Sequence, residues 1–214
     1  FDLLRQVLCE FDMSDAGLPE PAAAGLFGYL SYDLKDFIED LPRTTVDDSN
    51  LPELCFYAPS VLLVADRHTG RFTLCIPVFR DSGNERLRRL RNWFFDRLRN
   101  RPGPDAQSFA GGGRGFWSPF SRETYMAAVA RARDYIAAGH IYQVNFSQRF
   151  ETDFSGSPYA MFAELFSAAP AAFYAYVHAG DHWIVSTSPE RFLKQRRDLV
   201  ETRPIKGTRP RGAD

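Results

Sequence analysis

Lys206 stands in Thr202-Arg203-Pro204-Ile205-Lys206-Gly207-Thr208-Arg209-Pro210-Arg211-Gly212, in a chain that writes positive charge almost entirely as arginine. Of its 26 basic residues only Lys35, Lys194 and Lys206 are lysines. Arginine keeps its proton in a protein and cannot act as a nucleophile, whereas a lysine can attack carbon once it is neutral. Chance placement of one lysine in a loop is an equal alternative from composition alone, and the residues around it shift that balance. Glu190, in Ser186-Thr187-Ser188-Pro189-Glu190-Arg191-Phe192, is a carboxyl that could pass a proton. Its plain alternative is an ion pair with the adjacent Arg191. A third segment, Ile141 to Phe150, alternates: Tyr142, Val144, Phe146 and Phe150 fall on one face, and Gln143, Asn145, Ser147 and Arg149 on the other. Such a strand is either a solvated outer strand or the wall of a polar cleft.

The elements that must position these groups follow from periodicity. Leu4, Val7, Leu8 and Phe11 have helical spacing, so residues 2–12 read as an amphipathic helix. Gly25 to Leu30 reads as a strand whose glycines allow close backbone approach. Tyr57 to Ala65 and Arg71 to Phe79 read as two strands around an Asp66–Gly70 turn. Leu87, Leu90, Trp93, Phe94 and Leu98 mark another helix. Residues 101–115, rich in glycine and proline, read as a flexible linker between an N-terminal portion, 1–100, and a second portion, 116–214.

A helix is expected from Arg122 to Ala138, with Ser121 as N-cap and Gly139 as its stop. Ser157-Pro158 opens another, with proline at its first position. Phe173 to Ala179 and His182 to Thr187 form a hairpin about Gly180-Asp181. A turn at Arg197-Asp198 then leads into the strand that ends in the lysine loop. Helices combined with antiparallel hairpins, without a repeating parallel βαβ pattern, predict an α+β fold of layered antiparallel sheets with outer helices.

Composition removes several classes of function. With 44% hydrophobic and 25% charged residues the chain can bury a core. A net charge of −1 leaves no basic footprint for nucleic acid. No apolar run is long enough for a membrane helix. Cys9, Cys55 and Cys75 are widely spaced and share no metal-ligand pattern with the histidines, so they are expected as reduced core residues of a cytoplasmic protein. Phe1 is not an initiator methionine, and the last residues follow directly on the lysine motif, so a portion of a longer chain is expected.

The segments Gly139–Phe150, Ser186–Phe192 and Thr202–Gly212, in this order, resemble the chorismate-utilising enzymes, which include anthranilate synthase component I and aminodeoxychorismate synthase component I. Leu26-Phe27-Gly28-Tyr29 resembles the family as well. In anthranilate synthases the loop reads Pro-Ile-Ala-Gly-Thr; here Lys206 takes the alanine position, as in aminodeoxychorismate synthases, where the matching lysine is the nucleophile. Asn145 after Gln143-Val144 points to the same branch.

The resemblance implies amination of chorismate to 4-amino-4-deoxychorismate, in 4-aminobenzoate and folate biosynthesis. It implies Lys206 as covalent nucleophile, Glu190 as donor of a proton to the departing hydroxyl, and Gly207 and Thr208 as lining of the substrate pocket. Flanking cations such as Arg203 and Arg209 would favour the neutral lysine. A tryptophan pocket is implied at Asn145, Ala172 and Phe173, although Ala172 replaces a proline that the family often carries, and a core role for Phe173 competes with it. Magnesium (Mg) is the implied cofactor, with ligands expected beyond residue 214, and no metal ligand is assigned within the chain. A glutamine amidotransferase, as subunit or fused domain, is the implied ammonia source. Residues 1–214 alone are expected not to turn over. The alternatives are anthranilate synthase component I, on the same fold, and a non-catalytic family fragment.

Overall fold

The computed structural model describes residues 2–10, 24–44, 46–78, 83–100, 108–196 and 198–205. The chain divides into two units, Phe1–Gly103 and Pro104–Asp214. Helices alternate with antiparallel strand pairs in both, in agreement with the α+β expectation.

In the first unit, helix α1 spans Asp2–Glu10. Strand β1, Phe27–Leu30, pairs antiparallel with β2, Leu54–Tyr57. A 3-10 helix over Tyr32–Phe37 lies between them, where Lys35 Nζ is held 2.9 Å from both Asp33 and Asp36. One ammonium facing two carboxylates raises its affinity for the proton, so Lys35 stays cationic. Hairpin β3–β4, Leu62–Asp66 with Arg71–Cys75, forms around the expected turn. The Asp66 carboxylate accepts Thr69 Oγ1 at 2.7 Å and the His68 amide at 2.8 Å, and these bonds hold its pKa below the usual carboxylate range. The run from Tyr57 to Ala65 is not one strand. It contains the end of β2 and the start of β3, interrupted at Pro59, which has no amide to give to a ladder. Helix α2 covers Asn84–Arg99.

Gly28 shows why β1 carries a glycine. A Cβ there would overlap the Cys55 carbonyl oxygen and come within 2.9 Å of Phe56 Cα. Both obstacles are backbone of the paired strand, so neither can swing away. Gly28→Ala is therefore expected to separate β1 from β2. The loss would be read as faster amide exchange at residues 27–30 and 54–57, with β3–β4 unchanged.

In the second unit, β5, Phe109–Gly111, pairs with β6, Phe154–Gly156. The Asp153 carbonyl accepts the Gly112 amide at 3.2 Å, and its carboxylate accepts the Arg114 amide at 3.1 Å. The glycine run that reads as linker is thus a strand end and a tied turn from Ser108 onward, while residues 101–107 lie outside the described residues. Helix α3, Arg122–Ala137, starts at Ser121, whose hydroxyl accepts the Thr124 amide at 3.2 Å. Gly139 follows its end at φ +77°, as a C-terminal glycine stop requires.

Residues 141–150 form no ladder; the nearest pairing is a single bridge between Trp117 and Glu151. Alternation marks a face but cannot supply a partner strand, and none lies along this segment among the described residues. It is held instead by side chains. The Phe146 ring packs 5.1 Å from that of Tyr125 and 5.6 Å from that of Phe120, and Gln148 Nε2 donates to Ser118 Oγ at 2.8 Å.

Helix α4, Pro158–Ala168, is capped by Ser157, which accepts the Ala160 amide. It lies on hairpin β7–β8, Phe173–His178 with Trp183–Ser188. Tyr159, Phe162 and Phe166 recur at helical spacing, and Tyr174 and Tyr176 share one strand face. Their rings meet at 5.6 Å (Tyr159–Tyr176), 5.7 Å (Phe162–Tyr176) and 5.7 Å (Phe166–Tyr174). Each aromatic pair adds about 0.5–1.5 kcal/mol beyond area burial. Hairpin β9–β10, Arg191–Arg196 with Leu199–Arg203, completes the unit. Among the described residues every sheet has two strands and only Cys75 is buried; of the other cysteines expected in the core, Cys9 is exposed on the short helix α1 and Cys55 is half-buried in β2. Apolar side chains such as Tyr142, 92% exposed, and Phe192, 91% exposed, are left uncovered by these elements.

Candidate active site

Ser188 ends β8, Arg191 begins β9, and Pro189-Glu190 is the corner between the two hairpins. Proline sets the bend and withholds an amide, so β8 cannot simply continue. The Glu190 amide donates to Ser188 Oγ at 3.4 Å, a weak local turn bond, and the residue is half-buried. The corner thus presents a carboxyl from a short, braced connection between paired strands, which suits a proton donor that must keep one position.

Arg191 is engaged across the hairpin. Its Nη1 donates to Glu201 Oε1, and its guanidinium lies 5.1 Å from the Phe173 ring centroid. Adjacent strand residues point to opposite faces, so Arg191 is turned toward Glu201 and Phe173. Glu201 Oε1 also accepts Arg203 Nε at 2.6 Å. The register explains this cluster. Leu199 pairs with Arg196, Val200 with Gln195 and Glu201 with Lys194, and continuation would place Arg203 opposite Phe192. A bulge between Glu201 and Arg203 places Arg203 opposite Arg191 instead.

Lys206, Gly207 and Thr208 lie outside the described residues, and Ile205 is the last residue described. Arg203, three positions before Lys206, is the register partner of Arg191, which follows Glu190 directly. The hairpin therefore brings the strand leading to the lysine loop back to the Glu190 corner. Arg203, expected as a cation acting on Lys206, is partly neutralised by Glu201.

The residues of the implied tryptophan pocket sit on separate elements. Asn145 is exposed on the segment after α3. Ala172 is exposed just before β7, and Phe173 is the half-buried first residue of β7, with the Arg191 guanidinium over its ring. The Arg191–Glu201–Arg203 cluster went unpredicted. Simple counting back from the Arg197-Asp198 turn pairs Arg203 with Phe192, and nothing local marks the bulge. The charge pattern Glu-x-Arg on one strand facing arginine on the other was the available signal.

Among the described residues no group of three or more His, Cys, Asp and Glu side chains is placed to hold a metal ion. No helix among them is long and apolar enough to cross a membrane. An apolar groove of about 640 Å³ lined by Val61, Leu63, Leu90, Trp93 and Phe94 belongs to the first unit, whereas the Glu190 corner belongs to the second.

Antiparallel strand pairs combined with helices define an α+β fold, and a solved structure shares it. Anthranilate synthase component I from Streptococcus pneumoniae TIGR4 superposes with a TM-score of 0.79 at 22% identity, over 93% of this chain and 45% of that one. The chain belongs to the chorismate binding enzyme family, whose sequence profile matches residues 4–214. It is 40% identical over 195 residues to anthranilate synthase component 1 of Thermus thermophilus, covering 91% of this chain and 41% of that protein. It is 31% identical over 196 residues to aminodeoxychorismate synthase component 1 of Bacillus subtilis, covering 88% and 40%. The chain spans about two fifths of the length of these curated relatives.

Proposed function

We propose that this chain carries the nucleophile and the proton donor of a chorismate-aminating enzyme, with 4-amino-4-deoxychorismate as product. The observation that carries the reading is the lysine at position 206, in a chain of 23 arginines and three lysines. It follows a strand whose paired end adjoins the Glu190 corner.

In this reading the neutral Lys206 amine forms a bond to ring carbon C2. The ring double bonds shift, and the C4–O bond breaks with its electron pair. Glu190 gives its proton to the departing oxygen, which leaves as water. Ammonia then bonds to C4, the C2–N bond to Lys206 breaks, and the lysine recovers its electron pair. Two displacements give net retention at C4. Gly207 permits close backbone approach to substrate and Thr208 adds a hydroxyl; both are proposed to line the pocket. The ammonia is proposed to come from a glutamine amidotransferase, and magnesium, with ligands outside residues 1–214, to accompany chorismate.

A second reading, anthranilate synthase component I, is supported by the 40% identity to the Thermus thermophilus protein. Overall identity follows descent, whereas a lysine or alanine in the loop decides whether a covalent adduct can form, so amination is preferred. Incubating the native protein with chorismate, magnesium and ammonia separates the two. Amination gives a non-fluorescent product that yields 4-aminobenzoate only when a lyase is added. Direct appearance of fluorescent anthranilate as the main product would establish the second reading.

A further inference from the structure

We propose that Glu201 is a positioning residue of this site, acting through Arg191 and Arg203; the proposal rests on the amination reading given above. The bulge in β10 sets two arginines opposite one another, Arg203 against Arg191, at the end of the hairpin nearest Glu190. Like charges directly opposite in a ladder repel and unpair it. Glu201 answers both with one carboxylate oxygen, which accepts Arg191 Nη1 from one strand and Arg203 Nε from the other, the latter at 2.6 Å.

The Arg191–Glu201 pair is sheltered enough to matter, whereas the Arg203 side chain is 66% exposed and its pair with Glu201 adds less. The Arg191 side chain is 20% exposed and that of Glu201 33%, so removing the acid leaves a half-covered cation without its counter-charge. Arg191 is further located by the Phe173 ring at 5.1 Å, and its carbonyl accepts Thr202 Oγ1 at 3.4 Å. Both its side chain and its backbone are thus tied to neighbouring strands. Glu190 is joined to Arg191 by one peptide bond, so whatever locates Arg191 also locates the Glu190 backbone. On the opposite strand, the same carboxylate holds Arg203 and with it the direction in which β10 leaves. Bulges re-aim a strand in this way, and a bulge with a charge clamp across it holds one direction.

Glu201 touches neither reacting carbon nor leaving group in this scheme, so its loss misplaces groups without removing a binding contact. In the native protein, Glu201→Gln and Glu201→Ala are expected to lower kcat for chorismate amination by about tenfold to a hundredfold, with KM for chorismate within about twofold. Glu201→Asp, which keeps the charge, is expected to recover part of the loss. A companion measurement needs no chorismate chemistry: amide exchange at Arg191 and Arg203 should quicken in Glu201→Gln, while that of β3–β4 stays as in the parent. Unchanged exchange at these amides, or unchanged kcat, or a loss residing only in KM, overturns the positioning role. A parent protein that makes no 4-amino-4-deoxychorismate but whose exchange responds to Glu201→Gln overturns the functional reading and leaves the clamp standing.

Discussion

Lys206→Ala in the native protein is expected to lower the rate of chorismate amination by on the order of a thousandfold or more, the scale seen when a covalent nucleophile is removed. Alanine cannot attack C2, so ammonia must reach the ring without the intermediate that secures retention at C4. The variant also restores the Pro-Ile-Ala-Gly-Thr sequence of anthranilate synthases, and residual turnover is expected to shift toward anthranilate. Lys206→Arg separates charge from nucleophilicity: arginine keeps the positive charge but cannot attack, so it should be as inactive in amination as alanine. Product chromatography with a coupled lyase, alongside anthranilate fluorescence, reads both outcomes. Amination at the parent rate in either variant would remove the covalent step from the mechanism.

Glu190→Gln is expected to cost about a hundredfold to ten-thousandfold in kcat, the range for loss of a positioned general acid. Glutamine keeps the size of the side chain and can keep its hydrogen bonds, so the Ser188–Arg191 corner is retained while the transferable proton is lost. Because the proton is needed as the C4–O bond breaks, the defect belongs in kcat more than in KM. A chorismate analogue whose C4 substituent leaves without protonation should narrow the gap between variant and parent. An equal gap for both substrates would show that Glu190 serves the corner's structure and not the leaving group. These two variants, with the Glu201 series, divide the site into the atom that attacks, the atom that protonates and the clamp that holds the corner.

Much of the local structure could be read from contiguous residues. Ser121 caps α3 as expected, and Ser157 caps α4 just ahead of the expected Pro158 start, because a hydroxyl that reaches an amide three residues ahead is a short-range interaction. Pro158 and Gly139 mark helix start and stop for equally local reasons. The hairpins around Asp66–Gly70, Gly180-Asp181 and Arg197-Asp198 were legible from their turn residues. Where a partner or break was needed, local pattern fell short. Ile141–Phe150 alternates without joining a ladder, and Tyr57–Ala65 belongs to two different strands. The glycine run at 111–113 turned out to be tied by Asp153, some 40 residues away in sequence, which no composition rule reveals.

The same division runs through the site. The sequence by itself determined which groups could do chemistry, a lysine among arginines and a glutamate in a proline corner, because reactivity is a property of residue type and near neighbours. It also determined family membership, which matching motifs carry without coordinates. Only the tertiary structure decided that Arg203 faces Arg191, that one carboxylate of Glu201 serves both, and that the Arg191 guanidinium covers the Phe173 ring. The facing of Arg203 and Arg191 depends on a single-residue bulge, and a one-residue shift changes which side chains meet across a ladder while leaving the hydrophobic pattern of each strand the same.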